Sequence, residues 1–270
     1  MKIGINMNCY GGGLTVDEQI CLMKENGFEA TFLGCEGANF DEVVEKIQAA
    51  GITVDNLHAP FNKINDMWLP GEAGEDMLAR LVRCVEKAAS HGIPAIVVHV
   101  SSGTKPPIIN DVGNERFARL MEAAKANNVI IAYENQRKLA NLALMFEYYD
   151  EARFCWDIGH EACFTNGREY MPLFGDKLAA LHVQDNNCEY NKDSHLLPYD
   201  GKIDFDKAAR FIAERNYQGT VMLEVIRKNS NEYDDISAEE YYKKAAAAAT
   251  RFAAAIDSYR SDKYPASAGD

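Results

Sequence analysis

Residues Ser90–His99 read SHGIPAIVVH, and residues Ala126–Glu134 read ANNVIIAYE. Each is a joint. Gly or Asn closes an amphipathic stretch, because either residue tolerates the left-handed backbone that stops a helix. A short run rich in Val and Ile follows at once, which suits a strand buried on both faces. The same grammar recurs in ENGFEATFLG (Glu25–Gly34) and AAGITVDNLH (Ala49–His58). Weaker joints precede RFCWD (Arg153–Asp157), LAALH (Leu178–His182) and TVMLE (Thr220–Glu224). With the opening run Lys2–Asn6, the pattern predicts eight strands.

Helical stretches separate the strands. Val16–Asn26 follows Thr15, with Glu18 placed for a capping box, and Ala238–Tyr259 follows Ser237, with Glu240 in the same relation. Eight strands alternating with helices predict the α/β class and a single (β/α)8 TIM barrel. We assign it residues 1–262 and read 263–270 as a frayed tail. No GxGxxG or GxxxxGK[ST] follows a strand, which disfavours nucleotide-binding open sheets.

Composition bounds the chemistry. The 270 residues suit a fold that needs about 250. MKIGINMNCYGGG lacks the apolar core of a secretion signal, and no run approaches the roughly 18 apolar residues of a membrane span. The expectation is a cytoplasmic protein without a membrane partner. Seven scattered cysteines without CxxC predict reduced, mostly buried thiols. A net charge of −13 weighs against non-specific binding to nucleic acid.

Five of the six histidines fall at or after strand ends. His58, His99 and His182 terminate apolar runs, His160 closes WDIGH, and His195 lies in the loop after the seventh strand. His91, in ASHG, is read as a helix-end cap. Carboxylates follow suit: Glu134, Asp157 and Glu224 end runs, and Asp193 precedes His195 by two. In a barrel, residues at the carboxyl ends of strands converge on one face. A carboxylate ending a buried strand needs a partner, because desolvating a bare charge is costly. Lys and Arg are absent from these ends apart from Arg227 beyond the eighth, so a divalent cation is the expected partner. Glu134, Asp157, His182 and Glu224 suit Mn2+, Mg2+ or Co2+, whereas the His-rich full set tilts toward Zn2+ and up to three ions. Asp185, Asn186 and Asn187 follow His182 and read either as loop formers or as groups behind the ligands, and Glu36 follows the second strand without an evident partner. Trp68, Phe61 and Trp156 read either as surfaces for stacking on a ligand ring or as core and loop packing.

The segments LHAPF (Leu57–Phe61), VVH (Val97–His99), YEN (Tyr133–Asn135), WDIGH (Trp156–His160), LHVQDN (Leu181–Asn186), DSHLLPYDGKIDF (Asp193–Phe205) and LEV (Leu223–Val225) stand in an order that resembles the xylose-isomerase-like barrel superfamily. The resemblance implies a metal-dependent isomerase or epimerase of a sugar or sugar phosphate. Its metal quartet maps onto Glu134, Asp157, His182 and Glu224. Glu134 and Glu224 would be the proton-transferring pair, acting α to a carbonyl through a metal-stabilised enediolate. His58, His99, His160, Asp185 and Trp68 would line the sugar site. The same superfamily includes endonuclease IV, whose three-zinc ligand types match His58, His99, Glu134, Asp157, His160, His182, Asp193, His195 and Glu224. That implies a zinc-dependent phosphodiesterase (AP endonuclease) as the alternative, with a dehydratase or lyase on the same barrel as a third. Asp193 and His195 stand where the epimerases usually place an Arg, and Tyr199 replaces the first Gly of the relatives' PG-x-G-x-ID pattern. Against the endonuclease, LHVQDNNCEYNKD lacks its Asp-Ser-Lys run, and the stretch after His58 is acidic.

Overall fold

In the computed structural model, which describes residues 1–263, eight short strands alternate with helices. The strands are β1 (Ile3–Ile5), β2 (Ala30–Gly34), β3 (Thr53–His58), β4 (Ala95–His99), β5 (Ile130–Glu134), β6 (Arg153–Asp157), β7 (Leu178–His182) and β8 (Val221–Leu223). The helices are α1 (Val16–Glu25), α2 (Phe40–Ala49), α3 (Glu72–Ser90), α4 (Asp111–Ala126), α5 (Leu139–Tyr148), α6 (Ile158–Phe164), α7 (Met171–Phe174), α8 (Phe205–Glu214) and α9 (Ala238–Lys263). The strands form one sheet in the order β7-β6-β5-β4-β3-β2-β1-β8. Its ends meet where Val183 donates to Met222 O (2.8 Å) and Glu224 donates to Val183 O (3.0 Å). This is the strand order of a (β/α)8 barrel. The tail expected at 263–270 lies, from residue 264 onward, outside the described residues.

The predicted caps form. Thr15 and Glu18 make a reciprocal capping box on α1, and Ser237 Oγ accepts from the Glu240 amide at the start of α9. His91 is the C-cap of α3, its backbone N–H donating to Ala89 O, but its ring goes elsewhere. Its ring lies 2.8 Å from Asp41 Oδ1 and not on helix carbonyls, because a carboxylate is the stronger acceptor within reach.

The chain divides into two compact units, residues 31–156 and residues 1–30 with 157–270, and both crossings fall inside strands β2 and β6. In the unit of residues 31–156, β4 and β5 pair in full register, so that His99 stands opposite Glu134. The β3–α3 connection is fastened by Arg116, which is 4% exposed. Its guanidinium donates to the carbonyls of Asp66, Met67, Leu69 and Gly71 and to Glu75 Oε1. Trp68 in that connection is 1% exposed, donates Nε1–H to Val100 O at 2.8 Å and packs on Phe117. In the unit of residues 1–30 and 157–270, β1 pairs with β8 from Ile3↔Val221 to Ile5↔Leu223. The Asn6 amide side chain extends this ladder by donating to Val225 O (3.1 Å) and accepting from Val225 N (2.9 Å). Glu224, one residue past β8, lies between the Leu223 and Val225 contacts to Asn6.

Among the described residues no helix is long and apolar enough to cross a membrane. All seven cysteines are free, and only Cys21 and Cys188 are exposed.

Gly113 in the first turn of α4 leaves room for the Trp68 ring, since a Cβ there would lie 2.0 Å from Trp68 Cε3. Gly113→Ala is expected to destabilise the protein by about 1–3 kcal/mol through overpacking, despite its gain in helix propensity. A urea-denaturation midpoint equal to or above wild type would refute this packing.

Candidate metal centre

Within residues 31–156, three strand-end groups converge on one oxygen. Glu134 is 1% exposed, and its Oε2 lies 2.5 Å from His99 Nε2 and 3.4 Å from His58 Nε2. His58 Nδ1 lies 2.9 Å from Ala59 O. A carbonyl can only accept, so Nδ1 carries the proton, and a neutral His58 then turns an Nε2 lone pair toward the carboxylate. That lone pair faces a carboxylate oxygen also in contact with His99 Nε2, an arrangement that a metal cation between the groups would suit. Phe61, half exposed, stacks on His99 with centroids 4.8 Å apart. Gln136 Nε2 lies 3.3 Å from His99 Nε2.

The other unit carries two such clusters. Asp157 ends β6 and caps α6, its Oδ1 accepting from the His160 amide at 2.6 Å. That capping turn aims the His160 ring at the same carboxylate, with Nδ1 at 3.6 Å from Asp157 Oδ2. His182 is fully buried, and its Nδ1 lies 3.2 Å from Glu224 Oε2. Asp157, His182 and Glu224 bring one ligand atom each within 4.8 Å of one another. Beside them, His160 Nε2 and His195 Nε2 both lie 3.1 Å from Asp193 Oδ2. His195 Nδ1 donates to the Glu224 carbonyl at 2.8 Å, so the tautomer argument made for His58 applies here too. An imidazole held by Nδ1–H···O=C with Nε2 free is the usual posture of a metal-binding histidine.

Electrostatics agree with the geometry. Burial opposes the charge on Asp193, but hydrogen bonds from His160 and His195 outweigh it and hold the carboxyl well below the usual carboxylate range. Burial also disfavours a charged His195, yet the Asp193 hydrogen bond and the charges of Glu224, Asp193 and Asp157 raise its pKa from 6.5 to about 9. Without metal, a proton occupies the place that a cation suits.

A family model described as xylose isomerase-like TIM barrel matches residues 21–252. The chain belongs to this family. It is similar to the uncharacterized protein y4fM of Sinorhizobium fredii, 31% identical over 194 residues, or 65% of this chain. The match spans 60% of that relative's length. Among solved structures it is similar to a D-tagatose 3-epimerase-like protein, at 17% identity and a TM-score of 0.75, covering 97% of this chain and 100% of that one. It is also similar to an IolI protein with a binding zinc atom, at 16% identity and a TM-score of 0.76, covering 96% of this chain and 99% of that one. At these identities the likeness carries the fold.

Several expected residues stand elsewhere in this member of the family. Trp68 is not a stacking surface, because its ring is buried and its one donor is engaged. Trp156 is likewise buried, at 2% exposure. Asp185 builds the loop after β7. Its carboxylate accepts from the amides of Asn186, Tyr199, Gly201 and Ile203, while burial pushes its pKa up against those bonds. Asn186 serves the same loop through Gly159 O and Cys188 N, and Asn187 is exposed. Glu36 has a partner after all, a two-pronged ion pair with Arg80 at 2.8 and 2.9 Å. Tyr199 holds a left-handed backbone (φ +76°), and its ring is clamped by Arg251 and Phe205.

Sequence reasoning passed over Gln184. Fully buried two residues beyond His182, it donates to Asp193 Oδ1 at 2.6 Å and accepts from His195 N at 3.2 Å. Gly159 makes its place, since a Cβ there would lie 2.1 Å from Gln184 Cδ. The available signal was its spacing from His182, which puts both on one side of an extended backbone.

In metal-free protein the His195 imidazole is expected to titrate near 9, and Asp193→Asn should return it toward 6.5. Because the folded value lies above the free one, this group's stabilisation is complete below about pH 6.5 and is lost as pH rises through about 9. Imidazole NMR shifts would show it, and a wild-type midpoint below 7 would contradict it. Zinc should abolish the titration by displacing the proton.

Proposed function

We propose that the chain is a divalent-metal-dependent isomerase or epimerase of a keto sugar, with Glu134, Asp157, His182 and Glu224 as the metal ligands. The observation that carries the reading is that Asp157, His182 and Glu224 bring one ligand atom each within 4.8 Å of one another, while the buried Glu134 carboxylate faces His58, whose other nitrogen is committed to a carbonyl. The donor set fits the group: three carboxylates and one imidazole suit Mn2+, Mg2+, Co2+ or Zn2+. When bound, such a cation supplies Lewis-acid polarisation of a carbonyl and stabilises developing negative charge.

The rest of the chemistry belongs to the side chains. Glu134 and Glu224 are carboxylates on separate strand ends, suited to remove a proton from the carbon α to the carbonyl and to return one to it. Transfer by a positioned carboxylate accounts for roughly 10²–10⁴-fold in rate. His58 and His99 hold Glu134 from one side, and Phe61 offers a half-exposed ring for the apolar face of a sugar. The similarity to a D-tagatose 3-epimerase-like protein supports the substrate class.

A second reading rests on the His160–Asp193–His195 cluster, whose ligand atoms also lie within 4.8 Å of one another. A second cation there would suit a zinc-dependent phosphodiesterase. The net charge of −13 disfavours it, because a polyanionic duplex is repelled.

Incubation with Mn2+ in D2O is expected to place solvent deuterium α to the carbonyl of a ketose, and Glu134→Gln or Glu224→Gln should cut exchange by at least about 10²-fold. A broad panel of free and phosphorylated ketoses showing no exchange would sink the reading. Metal-dependent nicking of a duplex with an abasic site would instead favour the phosphodiesterase.

A further inference from the structure

Beyond Glu224 the chain turns basic. Arg227 and Lys228 open a short 3-10 turn, Arg227–Asn229, directly after the eighth strand. They meet the loop that follows β1, Tyr10-Gly11-Gly12-Gly13, where three successive glycines have positive φ of +83°, +106° and +88°. Arg227 donates its amide to Cys9 O at 2.8 Å, and its guanidinium lies 4.8 Å from the centre of the Tyr10 ring. Nη2 donates to the Asp234 carbonyl at 2.7 Å, which fixes the fork in place. The Lys228 side chain lies across Gly11. A Cβ on Gly11 would come within 2.8 Å of Lys228 Cγ and Cδ, and one on Gly12 within 3.5 Å of its Nζ. Gly11 therefore makes the bed for this lysine, which a side chain there would displace.

Two features give this corner a direction. Glu232, Asp234 and Asp235 follow in the same segment, yet among the described residues no carboxylate pairs with Arg227 or Lys228. Most of the arginines and several of the lysines elsewhere do have such partners, including Arg80, Arg116, Arg119, Lys125, Lys207 and Arg210. In addition, the exposed Gly12 and Gly13 amides have no backbone acceptor among the described residues. Two cations without counter-ions, beside open amides at the carboxyl ends of β8 and β1, form an oxyanion cradle of the kind barrels place on their last loops. In a chain of net charge −13 with carboxylates at its strand ends, an anionic substrate needs such a patch to approach.

We infer that Arg227, Lys228 and the Gly11–Gly13 loop bind the phosphoryl group of a phosphorylated ketose, so that the substrate is a sugar phosphate and not a free sugar. The inference rests on the sugar-isomerase reading for the sugar half of the ligand. The phosphoryl half stands on the cradle alone.

The test is equilibrium binding by calorimetry to the full chain loaded with Mn2+, using D-ribulose 5-phosphate, D-fructose 6-phosphate, D-ribulose and D-fructose, with deuterium exchange run on the same four compounds. At least one phosphate ester should bind about tenfold or more tightly than its free sugar. Lys228→Gln, at an exposed side chain, should remove most of that preference, Lys228→Arg should keep it, and neither should alter affinity for the free sugar or Mn2+ binding. Gly11→Ala, which displaces the lysine, should act as Lys228→Gln does. Equal affinity for the ester and its free sugar, no binding of either ester, or a preference untouched by Lys228→Gln would overturn the inference. Exchange confined to free sugars without phosphate preference would do so while leaving the isomerase reading intact. Lys228-dependent binding of an ester with no exchange from any compound would keep the cradle and remove the isomerase.

Discussion

Acceptors facing acceptors are the constraint on which this structure turns. A carboxylate oxygen cannot donate, and an imidazole nitrogen whose partner nitrogen gives its proton to a carbonyl cannot donate while neutral. His58 stands so against Glu134, and His195 against Asp193. Burial makes the mismatch expensive at Glu134, which is essentially removed from water. Positive charge must be supplied, and a raised His195 together with a depressed Asp193 is how the chain alone supplies it. A divalent cation meets the same need with ligands already aimed.

The surrounding fold keeps that mismatch in place. Register between β4 and β5 sets His99 against Glu134. Asp157 serves as helix cap with one oxygen and turns the other toward His160. Asn6 prolongs the β1–β8 ladder by bonding Val225, the residue after Glu224. Gln184, seated where Gly159 lacks a side chain, ties Asp193 to the backbone of His195. This is the support expected behind a metal site.

The strands were legible because burial on both faces demands continuous apolar runs, and the runs from Ala95 to His99 and from Ile130 to Glu134 end on the residues that the pattern indicated. The strand-end contacts of His99 with Glu134 and of His182 with Glu224 were legible for a related reason, since a charged residue ending a buried run needs a partner. What composition hides is contact across the chain. Trp68 reads as an exposed aromatic in a polar loop, but Arg116, 48 residues later, folds that loop over it with four carbonyl bonds. Asp185 looks like a ligand-side carboxylate until the chain returns at Tyr199, Gly201 and Ile203 to donate its amides. Glu36 finds Arg80 only through the packing of α3. Gln184 is neutral and so escapes any search for titratable groups.

Metal binding by the purified chain addresses the central claim most directly. After chelation and dialysis, titration with Mn2+ and Zn2+ followed by elemental analysis should show at least one equivalent retained, with protons released as metal enters. Asp157→Asn and His182→Gln should each weaken retention by about 10-fold or more while the far-ultraviolet circular dichroism stays that of wild type. A chain that binds neither metal at millimolar concentration, or binds them equally well in both variants, would contradict the account.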